Sequence, residues 1–202
     1  MDRTGPPLYE NPFMTASRRP PDLPRVVCGH AARRWRQYHF DMTLRSTTIE
    51  DLNTILEHRL AMFCEMGRDD PHELANLERV SREYFETAIP SGTFHGVLAE
   101  LDEGGVVGGG GVVIVPWPGA GKRSRPCRPW ILNVYVRAEY RRLGIARAIM
   151  EALIQWCESQ GFDCVCLHAT SSGRPLYEQL GFIPTNEMRL DLCSSAPSEV
   201  TG

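Results

Sequence analysis

Several things are missing from this 202-residue chain, and each absence narrows what it can be. No apolar run reaches the length of a membrane-spanning helix and no signal-peptide pattern is present. The expectation is a cytoplasmic protein with no membrane partner. Excess charge is small: a formal net charge of −3 is too little imbalance for a general polyanion binder, so no nucleic-acid partner is expected. The seven cysteines (Cys28, Cys64, Cys127, Cys157, Cys164, Cys166 and Cys193) are odd in number and contain no Cys-x-x-Cys pair. That favours reduced thiols over a disulfide framework or a zinc site, with Cys164 and Cys166 on one face of a single strand. No metal-ligand constellation is visible, and there is no internal repeat. Gly119-Ala120-Gly121-Lys122 resembles the end of a nucleotide P-loop. That motif needs Gly at 116 and Ser or Thr at 123, where the chain has Pro116 and Arg123, so the P-loop is absent too.

What is there suits one enzyme domain. A hydrophobic content of 42% over this length is enough for a single core. Residues 1–41 differ in kind, with Pro6, Pro7, Pro12, Pro20, Pro21 and Pro24 breaking any helix and arginines outnumbering acids. They read as a disordered arm, or as sequence upstream of a start at Met42. A targeting segment and an oligomerisation arm are the alternatives, though Asp2 and the prolines suit a transit helix badly. The domain is expected over 42–193, with a flexible tail over 194–202.

Within the domain, Thr43 to Ser46 reads as a first strand and Thr47-x-x-Glu50 as a capping box opening a helix. That helix carries a stripe of Leu52, Ile55, Leu56, Leu60 and Phe63 and stops at Gly67. A second helix runs from Pro71 to Pro90 and should bury Leu74, Leu77, Val80, Tyr84 and Ala88. Phe94 to Leu101 and Val106 to Val115 form a hairpin, in which Gly108 to Gly111 marks a bulge, a helix contact or a close ligand approach. A loop over 116–129 precedes a strand over 131–136. Further strands are expected over 164–169 and 186–192.

Between strand 131–136 and the amphipathic run of Ile145, Ile149, Ala152, Leu153 and Trp156 lies Arg141-Arg142-Leu143-Gly144-Ile145-Ala146. A helix starting there aims unpaired main-chain N–H groups, and the positive end of its dipole, at one point. Gly144 permits close backbone approach and Ala146 adds little bulk, while Arg141, Arg142 and Arg147 add positive charge. The chemistry asks for an anion, most naturally a phosphate or diphosphate.

Here the chain resembles the GNAT superfamily of acyl-CoA-dependent N-acyltransferases. The signature Arg/Gln-x-x-Gly-x-Gly/Ala is filled by Arg141, Gly144 and Ala146, and a second block stands as Leu176-Tyr177-Glu178-Gln179-Leu180-Gly181-Phe182. The resemblance covers about 43–192. It implies an α/β fold: a mixed, mostly antiparallel sheet of six to seven strands, splayed between the fourth and fifth, with helices on both faces. It implies an N-acetyltransferase using acetyl-CoA as co-substrate, with no metal and no covalent enzyme intermediate. The acceptor would be a primary amine of a small molecule or a protein, and a homodimer is compatible with this.

By the same resemblance, the main chain of Val134 and Val136 would hold the pantetheine arm and thioester carbonyl. The amides from Arg142 through Leu143, Gly144, Ile145 and Ala146 to Arg147 would hold the diphosphate, and Tyr177 would protonate the leaving thiolate. Thr170 stands where many relatives have an Asn on the pantetheine arm, and Arg174 is a candidate to reach a CoA phosphate, the alternative being a solvent-facing role. The segment between the first two helices would border the acceptor, making Glu65, Asp69 and Asp70 candidates to hold a cationic amine. The alternative is a solvated acidic loop with Asp70 capping a helix. Asn133 and Tyr135 stand on the strand where many relatives carry a Glu base and join the acceptor-side candidates. Tyr135, His168, His95 and Glu100 are the other groups considered as base. Competing readings are a CoA-binding domain without turnover and a transferase of longer acyl groups.

Overall fold

The computed structural model describes residues 42–102, 105–119 and 125–188. The expected arm over 1–41, the tail over 194–202, Cys28 and Cys193 lie outside the described residues. So does most of the expected strand 186–192, whose described residues 186–188 carry no strand. By packing, the chain divides into two units after His168.

The first unit is a five-stranded sheet among the described residues, in the order β1 (Met42–Ser46), β2 (Phe94–Leu101), β3 (Gly105–Pro116), β4 (Cys127–Val136), β5 (Cys166–Leu167). The first four pair antiparallel and β5 joins β4 in parallel, which is the mixed, mostly antiparallel sheet expected with fewer strands. β4 starts four residues earlier than periodicity places it and runs through Pro129, which pairs with Ile114. Proline is tolerated because β5 first pairs with β4 at Trp130, so the missing N–H faces no partner strand.

Helix α1 (Leu52–Glu65) follows a single 3₁₀ turn, Ile49–Asp51. The capping box sits one residue later than Thr47-x-x-Glu50: the Thr48 amide donates to Asp51 Oδ2 at 2.9 Å. Asp51 is the better partner because Arg45 holds its carboxylate from the other side, at 2.8 Å to each oxygen. Helix α2 (Pro71–Ala88) starts at Asp70, whose carboxylate accepts from the amides of His72 and Glu73 at 2.9 Å, with Pro71 in the first turn where no N–H is needed. Its buried face is turned by one residue from the expected stripe. Ser81, Phe85 and Ala88 are inside, while Val80 and Tyr84 are 47% and 43% exposed. Phe85 takes the inner position by packing edge-on against Phe94 at 4.8 Å, within a cluster containing Leu52, Ile55 and Leu56.

The glycine run in β3 explains how helices can cover both faces. Gly108 and Gly110 lie against Ile149 of helix α3 (Ile145–Ser159), and Gly109 and Gly111 against Leu98, Phe94 and His58 on the α1 side. Bulge and helix contact are both realised. A methyl group on Gly108 would stand 2.8 Å from the Tyr135 carbonyl oxygen, a backbone atom with nowhere to go. Gly108→Ala should therefore force β3 from β4 and cost about 2–3 kcal/mol. Urea denaturation checks this, and a loss under 0.5 kcal/mol would mean the strands part freely. No helix among the described residues is long and apolar enough to cross a membrane.

The second unit, from Ala169, holds the short helix α4 (Arg174–Gln179), introduced by a turn at 171–173.

Candidate active site

The β3–β4 register places Gly109 opposite Tyr135 and Gly111 opposite Leu132, so Asn133 and Val134 together face Gly110. This is a β-bulge, and Asn133 takes the left-handed φ of +57° that asparagine accepts more readily than most residues. The β4–β5 pairing covers only Trp130 with Cys166 and Ile131 with Leu167. Beyond Ile131 the two strands no longer pair, which is the parting expected between the fourth and fifth strands. The other expected residues of strand 164–169 are irregular, so Cys164 and Cys166 do not share a strand.

After β4 come a 3₁₀ turn, Ala138–Tyr140, and then Arg142 and Gly144 at φ of +63° and +89° before α3 begins. Gly144 is the N-cap and offers no side chain to its own helix. The first main-chain donor returned to the helix is Ala148, to the Gly144 carbonyl at 3.1 Å; among the described residues, the amides of 142 to 146 give no main-chain bond. Open amides at the start of a helix, with the positive end of its dipole, suit an anion, a cradle built from backbone. Arg142 and Gly144 are exposed, Ile145 is buried, and Leu143, Ala146 and Arg147 are half-buried. Arg147 lies 3.8 Å from Glu151.

Arg141 turns away from this cradle. Its Nε donates to the Val136 carbonyl at 2.8 Å, and its Nη2 reaches both Glu65 oxygens at 2.6 Å. The guanidinium also lies 5.7 Å from the Tyr135 ring centroid, and the Tyr135 hydroxyl donates to Glu65 at 3.5 Å. With 40% and 43% of the side chains exposed, the pair is worth at most about 1 kcal/mol, but it ties the end of α1 to the end of β4. Of the three acidic acceptor candidates, Glu65 is thus engaged by Arg141 and Asp70 caps α2, while Asp69 is exposed. Burial, then the Glu65 charge, pushes the Tyr135 phenol up, so it donates a proton rather than takes one.

Asn133 is buried. Its Oδ1 accepts from Arg59 Nη1 at 2.6 Å, and its Nδ2 has no partner. His58, 3% exposed, likewise has an unpartnered Nε2 and lies 5.2 Å from the Tyr135 ring. Both line a cavity with room for roughly one water, beside Gly109 and Gly110. Burial lowers the His58 pKa, keeping the ring neutral. Neither His58 nor Arg59 emerges from sequence reading. The available signal is their spacing: they follow Ile55 by three and four residues and so share its inward face.

The remaining base candidates stand elsewhere. His95 stacks on Trp156 at 4.2 Å, and burial pushes its pKa down to about 4. Glu100 pairs with Arg45 at 2.9 Å on the β1 side of the sheet. His168 leans on Trp130 at 4.8 Å.

In the second unit, Thr170 Oγ1 accepts from the Gly173 amide at 3.1 Å and sits 3.2 Å from Ser172 Oγ, closing the turn before α4. Tyr177 packs over Gly173, where a Cβ would meet its ring at 2.8 Å, and lies edge-on to Phe182 at 6.1 Å. Burial raises the phenol pKa, so it is protonated at neutral pH. Arg174 lies 4.0 Å from Glu178.

Comparison with known proteins adds three findings. Residues 55–182 match the model of the acetyltransferase (GNAT) family. A glucosamine 6-phosphate N-acetyltransferase of Trypanosoma brucei brucei is 30% identical over 153 residues, covering 75% of this chain and 97% of that protein. A GCN5-related N-acetyltransferase from Ralstonia eutropha JMP134 superposes with a TM-score of 0.70 at 33% identity, covering 75% of this chain and 99% of that one. A predicted acetyltransferase from Clostridium acetobutylicum, solved with acetyl-CoA, shares the fold with a TM-score of 0.69 at 20% identity over 75% of this chain and 97% of its own.

Proposed function

The chain belongs to the acetyltransferase (GNAT) family, an enzyme family that transfers acetyl groups to amines, and on that footing we propose how its own residues do so. The donor is acetyl-CoA, and transfer is direct, within a ternary complex. The observation that carries this reading is the turn at 142–147, where the amides of 142 to 146 have no main-chain acceptor among the described residues, at the start of a fifteen-residue helix. A diphosphate satisfies them and meets the positive end of the dipole.

With the diphosphate there, the main chain of Val134 and Val136 receives the pantetheine arm and thioester carbonyl. The parting of β4 from β5 after Ile131 supports this, because it leaves that stretch unpaired by β5. The amine nitrogen attacks the thioester carbon, a C–N bond forms, and the oxyanion is stabilised by main-chain donors. As the intermediate collapses the C–S bond breaks, the nitrogen gives up a proton, and Tyr177 returns one to the thiolate. Its raised pKa and its place in the second signature block support that role. The setting is cytoplasmic, a reading supported by cysteines whose spacing suits reduced thiols.

The acceptor is a primary amine. Because the Trypanosoma relative is named for glucosamine 6-phosphate, that aminosugar is the first compound to offer, followed by amino acids, polyamines, aminoglycosides and peptide amines. Thiol release from acetyl-CoA across this panel should rise at least tenfold over background with one acceptor class. CoA binding with no acceptor-stimulated release would refute the assignment.

A further inference from the structure

Arg59 is a half-buried cation held only by neutral partners. Its Nε donates to Ser81 Oγ at 2.9 Å, its Nη1 donates to Asn133 Oδ1 at 2.6 Å, and the guanidinium lies 5.0 Å from the Phe63 ring centroid. No carboxylate pairs with it among the described residues, whereas Arg45, Arg82, Arg137 and Arg141 each have one. Its remaining nitrogen, Nη2, has no hydrogen bond among the described residues, and the side chain as a whole is only half-buried. A desolvated cation without a counter-ion is costly to keep, and the ring beneath it offsets only part of that cost.

Two neighbours sharpen the picture. Asn133, 8% exposed, presents a second unpartnered donor, Nδ2, on the amide whose oxygen binds Arg59. Arg68 lies 5.6 Å from the centroid of the same Phe63 ring, adding positive charge. Of the acidic loop's carboxylates, Glu65 is engaged by Arg141 and Asp70 by the first turn of α2, while Asp69 is exposed. The charge placed against Asn133 at the β4 bulge is that of Arg59, and it is positive.

We propose that Arg59 is the specificity residue for the acceptor: it binds an oxyanion, phosphate or carboxylate, carried by the amine that is acetylated. Phe63 and Asn133 hold the guanidinium flat, and Nη2 offers its N–H donors to the anion. Since Asn133 adjoins Val134, an amine a few bonds from that anion lies at the bulge where the thioester is received. This rests on the acetyl-CoA reading above, and it replaces the cationic acceptor that the acidic loop suggests.

The test uses matched acceptors: glucosamine 6-phosphate against glucosamine for phosphate, and an α-amino acid against its carboxamide for carboxylate. In one pair the wild-type protein should favour the anionic member ten- to hundredfold in kcat/KM, the effect of one charge-assisted hydrogen-bonded contact. Arg59→Gln should bring that ratio close to one, chiefly through KM, and Arg59→Lys should restore part of it. No preference in either pair, or equal losses on both members with Arg59→Gln, would overturn the proposal and make Arg59 a strut between α2 and β4. If Arg59→Gln fails to fold, inorganic phosphate against the wild type decides. At saturating acetyl-CoA it should inhibit competitively with the acceptor, and its failure to do so would sink the subsite. Turnover of neutral amines alone removes the anion site and leaves the acetyltransferase standing, whereas CoA binding without any turnover removes both.

Discussion

Gly144→Glu should weaken CoA binding by at least a hundredfold while the protein still melts cooperatively. Two effects act at this position and can be separated. Gly144 sits at φ of +89°, where any side chain brings strain of about 1–2 kcal/mol, borne by the fold whether or not ligand is present. The carboxylate adds a second effect, because it stands at the N-cap, where open amides and the positive end of the dipole favour negative charge. It satisfies those amides itself and repels the diphosphate. One pair of unit charges at about 4 Å costs on the order of 4 kcal/mol at an effective dielectric constant of 20, more than a hundredfold in affinity. Gly144→Ala carries the strain without the charge, so it should lose stability and keep most of its CoA affinity. Calorimetric titration with CoA distinguishes the two variants. Unchanged affinity in Gly144→Glu would place the diphosphate somewhere other than residues 142–147.

Much of the backbone around residues 142–147 follows from local pattern: a strand, a glycine able to take positive φ, and an amphipathic helix, each present where the pattern puts it. Arg141 fits that pattern yet behaves differently, because its long side chain finds Glu65 and the Val136 carbonyl, partners 76 and 5 residues away that only the folded sheet brings near. Asn133 is the clearest case of what stays hidden. Its importance lies in a bulge, and a bulge is a mismatch between two strands that neither strand reveals alone. The same holds for Arg59, which joins Ser81 on α2 to Asn133 on β4 across separations of 22 and 74 residues.

Misplaced elements have local explanations of the same type. The α2 stripe is offset because Leu74, Leu77 and Ala88 fit either of two neighbouring faces, and the aromatic pair Phe85–Phe94 decides between them. Glycine composition marked the β3 run as unusual, but only pairing shows its two sides serving opposite helices. The acidic loop shows the same dependence on folding. Carboxylates at 65, 69 and 70 suggest a cationic ligand, and the fold then commits two of them, Asp70 to a helix cap and Glu65 to an arginine, leaving Asp69 exposed.

Tyr177→Phe should lower kcat by about a hundredfold or more and leave CoA affinity within a factor of about three. The substitution removes one oxygen and keeps the ring, so the packing over Gly173 and against Phe182 survives and α4 should remain formed. What is lost is a proton that burial keeps on the phenol at neutral pH. A raised pKa favours the neutral acid, so activity that depends on it should persist through neutral pH and decline only as alkali strips the proton, above the ordinary tyrosine range near pH 10. That alkaline limb should be absent from the residual activity of Tyr177→Phe. A thiophenol-type thioester, whose thiolate leaves without protonation, should recover most of the lost rate in the variant while the wild type gains little. If Tyr177→Phe turns over acetyl-CoA at the wild-type rate, the hydroxyl is only packing and the departing thiolate takes its proton from water.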